Sequence, residues 1–189
     1  MCASDLKEPA MILKILRFIA LVLFGFTGHQ GLSQHIVISE VFGGGGNSGS
    51  TYKNDFVELY NPTSNPVSLT GWSIQYAAAA GTGIWQVTAL SGIIYPGSYY
   101  LVQEAAGTGG VLNLPDPDAI GTIGLASTSG KIALVSSSSA LSGSCPAGVI
   151  DEVGIGPASN CFEGAGRRHP SATPLLRKEK QMHFRRAFQ

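Results

Sequence analysis

The feature that most constrains this chain is its punctuation: short β-prone runs, each closed by glycine, proline, asparagine or serine. IVISEVF (36–42) runs into GGGGNSGS, NDFVELYN (54–61) into PTSNP, and VSLTGWSIQYA (67–77) into AAAGTG. IWQVTAL (84–90) stops at Ser91-Gly92, and SYYLVQE (98–104) follows Pro96-Gly97. A shorter element near 120–125 precedes KIALVSS (131–137), and VIDEVGI (149–155) closes the series. No stretch sustains a helical period. Short strands separated by such turns build a sandwich or a barrel, so the chain is read as all-β.

Side chains alternate across a strand, and the alternation assigns faces. Val57 and Leu59 share one face of their run, with Phe56, Glu58 and Tyr60 on the other, which gives a core face and a wetter one. Tyr99 and Leu101 oppose Tyr100 and Val102 in the same way, and Ile132 and Leu134 oppose Ala133 and Val135. Trp72 shares a face with Ile74, so it is expected to be a central core residue, with Gly71 permitting a close backbone approach or a bulge before it. The expected structural core is thus built on Val57, Leu59, Trp72 and Ile74.

Ahead of the strands lies an apolar run, Phe18 to Phe26, preceded by Lys14 and Arg17 and followed by the small, polar stretch TGHQGLSQ. Its length suits a secretory leader and falls short of the ~20 residues that a membrane-crossing helix needs. Residues 1–33 are therefore expected to be a signal peptide, with Gly31 and Ser33 at the −3 and −1 positions of a cut before Gln34. Met11 also fits as the true start, because MILKILR is a better basic leader than MCASDLKEPA, which carries Asp5 and Glu8. With that start, Cys2 is irrelevant to the mature protein. The expected location is secreted or cell-surface, with membrane contact only through the leader before cleavage.

Residues 34–166 form one domain by length. Two basic residues there, Lys53 and Lys131, stand against nine acidic ones, a formal balance of −7. That repels a phosphate backbone and lacks the basic footprint of nucleic-acid binding, which argues against nucleic acid as the sandwich's partner. From Arg167 to Gln189 the sign reverses, with seven basic residues against Glu179, or +6. A basic end can bind acidic surfaces, but a short one such as this is read as a solvated, disordered tail.

Candidates for chemistry are few. His35 is the sole histidine of 34–166, next to the expected start, and a Ser-His-acid arrangement would depend on it. Asp55, Glu40 and Glu58 could supply paired carboxylates, although Glu40 and Glu58 sit in strand runs and are read as structural. GGGGNSG (43–49) has the glycines of a phosphate-cradling loop without the Gly-Lys-Ser/Thr ending or a following helix, so a flexible connection is the simpler reading. Asp116 and Asp118 offer two oxygens spaced for calcium, against a plain turn. Trp85, Tyr95 and Tyr100 are candidate exposed aromatics for stacking on sugar rings. Cys145 and Cys161, the two cysteines left after processing, are expected to pair in an exported chain, closing a loop that adds roughly 3 kcal/mol. The alternative, a metal site, needs further ligands, and His35 is the one imidazole on offer. No catalytic residue, metal or cofactor is assigned.

ISEVF (38–42), DFVELYNPTSNPVSLTGWSIQ (55–75), IIYPGSYYLVQE (93–104), STSGKIALV (127–135) and VIDEVGIG (149–156), in this order, resemble the lamin tail domain in its bacterial secreted form. The second motif is the most specific: strand, Asn-Pro turn, short strand, Gly-Trp strand. The resemblance covers residues 36–166. It implies an immunoglobulin-like β-sandwich used as a binding or structural module, with no catalytic residues to carry over. Bacterial domains of this kind sit on exported or surface proteins, sometimes beside nuclease, phosphatase or other hydrolase domains. Cys145, Cys161 and FEGAG (162–166) also resemble the extended secreted variant. After Gly166 the resemblance fades, and the expectation is truncation or an altered reading frame. The chain is thus expected to be an exported, non-catalytic module for an unknown protein or cell-surface polymer. The alternatives are an accessory domain of a truncated secreted hydrolase or a carbohydrate-binding module.

Overall fold

A computed structural model describes residues 35–164. The expected leader, the start at Gln34 and the basic end lie outside the described residues. Ten strands follow the turn punctuation: β1 (Val37–Phe42), β2 (Asn54–Tyr60), β3 (Val67–Ser68), β4 (Ser73–Ala77), β5 (Gln86–Ala89), β6 (Ile93–Ile94), β7 (Tyr99–Ala106), β8 (Ala119–Ile120), β9 (Gly130–Val135) and β10 (Asp151–Ile155). They form two four-stranded sheets, ordered β1-β2-β7-β8 and β10-β9-β4-β5, and a ribbon of β3 and β6. All pairings are antiparallel except β7 with β8.

The sheets bury their inner faces against each other, which makes an immunoglobulin-like β-sandwich. One core receives Val57 and Leu59 from β2, Tyr100 and Val102 from β7, Ile74 and Tyr76 from β4, and Ile132 and Leu134 from β9. Val57, Leu59 and Ile74 stand where the sequence puts them, and on each of these four strands the inward residues lie two apart, as alternation requires. At roughly 1.5–3 kcal/mol for each fully buried large apolar side chain, this layer dominates the fold's stability.

The outer faces differ from expectation. Phe56 and Glu58, assigned to a wetter face, are both fully buried. A second apolar cluster covers that face, with Phe56 stacked on Phe42 at 5.4 Å and edge-on to Tyr52 at 6.0 Å, beside Leu101. Glu58 accepts the Ser39 hydroxyl at 3.1 Å. The other sheet carries a matching outer cluster of Trp85, Ala133 and Val135, with Leu141 and Val149 packed on it. Long loops lie over both faces, so the alternation is correct and the solvent exposure it suggested is not.

The burial of the two tryptophans differs from expectation. Trp72 is half-buried at the edge of the core, because β4 begins only at Ser73. The chain turns tightly before it, with the Trp72 N–H donating to Leu69 O at 3.0 Å and Gly71 at φ +83°. That left-handed backbone favours glycine. Trp85 is instead only 2 % exposed, with its indole N–H donating to Gly143 O at 3.0 Å.

Candidate functional site

The outer face of the second sheet gathers groups that reading the strands one by one does not connect. Lys131 points outward at the start of β9, as its parity with Ala133 and Val135 requires, and it is fully buried. Its ammonium donates to Gly81 O at 2.8 Å, Ser144 O at 2.7 Å and Asn160 Oδ1 at 2.9 Å. It also lies 5.2 Å from the Trp85 ring centroid, within cation–π range. Ser144 and Asn160 immediately precede Cys145 and Cys161, which form a disulfide with a Cα–Cα distance of 5.2 Å. One ammonium and one covalent bond therefore fasten the same two segments to the sheet.

Glu152, outward on β10, completes the cluster. Its Oε2 lies 3.2 Å from Cys161 Sγ, and its Oε1 is buried without a hydrogen-bond partner. Burial pushes its carboxyl above the ordinary glutamate range; the charge of Lys131 opposes that, and Glu163 and Asp151 add to it. Burial in turn pulls the Lys131 ammonium down, against the charge of Glu152. Carboxyl and sulfur atoms of Cys145, Glu152 and Cys161 all lie within 4.8 Å of one another. The further ligand that a metal at this cysteine pair would need is thus a carboxylate rather than His35, whose Nδ1 sits 2.9 Å from Ile36 O. A groove of about 440 Å³ opens beside Glu152, between β1 and β10, lined also by Ile38, Tyr60, Asp151 and Glu163.

The remaining acids mostly hold the backbone. Asp55 Oδ1 accepts the N–H groups of Gly44 and Gly45, each at 2.7 Å, and Oδ2 accepts Leu125 N–H at 2.7 Å. The amides of the glycine-rich loop thus serve an internal anion, which is why the loop resembles a phosphate cradle and is organised otherwise. A side chain at Gly45 would run into the Asn54 backbone. Glu104, on the inner face of β7, accepts Ile123 N–H at 2.9 Å through Oε2. Its Oε1 and the neighbouring Thr88 hydroxyl complete no hydrogen bond of good geometry. Burial pushes Glu104 above its ordinary range, the Thr88 hydroxyl and the Ile123 N–H pull it back, and the charge of Asp55 raises it again. Burial likewise raises Asp55, against its three N–H donors.

The other sequence candidates scatter. Asp118 Oδ2 accepts Leu101 N–H at 2.7 Å, which takes one oxygen of the suggested calcium pair, and Asp116 is exposed. Glu40 and Glu58 face each other in register across β1 and β2. Of the three suggested sugar-stacking rings, Trp85 and Tyr100 are buried and Tyr95 is 57 % exposed; the Tyr100 hydroxyl donates to Ser91 O at 2.8 Å. In the sequence Lys131 and Glu152 stand out only as charged residues inside strand runs, with nothing local to join them. A family model described as Lamin Tail Domain (LTD) matches residues 30–155, every strand of the sandwich and Cys145 included, and ends before Cys161. No curated protein matches the chain.

Proposed function

The chain belongs to the lamin tail domain family, and from that premise we propose that it is an exported, non-catalytic module that works by binding or scaffolding at or beyond the cell surface. The observation that carries the reading is the use made of its acids. Asp55, Glu104, Asp118 and Asp151 each accept a backbone N–H, from Leu125, Ile123, Leu101 and Ile38 respectively. A carboxylate held this way organises loops and is poorly placed to move protons for a substrate. The Cys145–Cys161 bond supports export, since such bonds persist in oxidising compartments.

The test is an assay of the purified chain against phosphodiester, ester and glycoside substrates. The expected result is no turnover above the uncatalysed rate. Turnover that is lost on changing Glu58 or Glu40 to the amide overturns the reading.

A further inference from the structure

Glu152 differs from Glu104, whose second oxygen accepts a backbone N–H. It is 5 % exposed, its Oε1 has no partner, and its Oε2 faces the sulfur of Cys161. Within the disulfide that sulfur carries no proton, so the short contact supplies no hydrogen bond. The charge of Lys131 favours the carboxylate but gives it no hydrogen bond, because its three N–H groups go to Gly81, Ser144 and Asn160. A buried carboxyl without a donor calls for a different partner.

Opening the S–S bond supplies the setting for one. Two sulfurs and a carboxylate already converge within 4.8 Å, and zinc bonds of ~2.0–2.3 Å to sulfur and oxygen place tetrahedral ligands at comparable separations. Cys145 is exposed, so the sulfur pair can be reached from solvent, and Glu152 borders an open groove. We propose that in the reduced chain Cys145, Cys161 and Glu152 hold a zinc ion through two thiolates and one carboxylate, so that disulfide and metal are alternative staples of the same two segments. Three protein ligands leave the fourth tetrahedral position to water.

The exchange balances. A dithiol reductant gives two electrons and two protons to the S–S bond and itself becomes a disulfide, leaving two thiols on the chain. Zinc then forms two sulfur–zinc bonds as both thiol protons pass to solvent, with no further change of oxidation state; a proton on Glu152 leaves in the same way. The oxidised form belongs to an oxidising compartment, and the zinc form to a chain that has met a reductant.

The test uses the full chain carrying Cys2→Ser, reduced with a phosphine under anaerobic conditions and titrated with cobalt(II). One equivalent should produce sulfur-to-cobalt charge-transfer absorption that zinc abolishes. Glu152→Gln should keep the band and weaken cobalt binding by roughly tenfold or more, since changes one shell further out already cost that much. Cys145→Ser and Cys161→Ser should each lose the two-thiolate spectrum. Zinc should also raise the melting temperature of the reduced chain, and raise it less in Glu152→Gln, whose oxidised form serves as the folding control. No charge-transfer band, no zinc-dependent rise in melting temperature, or cobalt affinity unchanged by Glu152→Gln overturns the assignment.

Discussion

At the scale of single residues, the sandwich holds charges where apolar side chains would ordinarily sit, and each makes a distinct prediction. Replacing Lys131 by Met keeps its volume and removes a donor from Gly81 O, Ser144 O and Asn160 Oδ1. Denaturant unfolding should show a loss of about 2 kcal/mol, the cost of leaving buried acceptors unsatisfied. Glu104→Gln should act in the opposite direction. The amide can still accept Ile123 N–H, it brings a donor toward Thr88, and it removes a charge that burial disfavours. A gain of about 1 kcal/mol at neutral pH is expected, disappearing as the solution is made acid enough to protonate the wild-type carboxyl.

At the scale of elements, stability outside the core depends on how loops are fastened to the sheets. The disulfide closes the segment between Cys145 and Cys161. Replacing both by Ser should cost roughly 3 kcal/mol in chemical denaturation and leave the strands in place. On the first sheet, Asp55 fastens two loops at once, one through Gly44 and Gly45 and the other through Leu125. Asp55→Asn replaces one acceptor oxygen by an NH₂ group that faces amide donors, so hydrogen exchange at Gly44, Gly45 or Leu125 should accelerate ahead of exchange in β2 and β9. Equal acceleration throughout the sandwich would show that Asp55 acts on global stability instead. The strands themselves were legible because period-2 alternation and turn residues are local properties. The half-buried Trp72 was not, since strand alternation does not carry back through the turn that the Gly71 backbone makes.

For the whole molecule, the acids set the response to pH. Asp55, Glu104 and Glu152 all bind their protons more tightly folded than unfolded. Between the ordinary carboxyl range and these raised values the unfolded chain holds fewer protons, so stability falls as pH rises through that window. A mildly acid maximum in melting temperature is expected, and a flatter profile in Glu104→Gln. Net charge alone hides this, because nine acids against two bases in residues 34–166 look like surface charge. The sequence shows which side of a strand a residue takes, as for Phe56, Glu58 and Lys131, but what covers that side is decided by loops distant in the chain. The sandwich, its inner core and the cysteine pair could therefore be read in advance. The fully buried lysine, the unpartnered Glu152 and the buried Trp85 depend on contacts that only the fold brings together.

The most direct test of the central claim, an exported sandwich stapled between Cys145 and Cys161, is mass spectrometry of the protein recovered outside the cytosol, with peptide mapping under non-reducing conditions. The account predicts an N-terminus at Gln34 and one linked peptide containing both cysteines. A chain that retains its leader, stays in the cytosol and carries free thiols at both positions would contradict it.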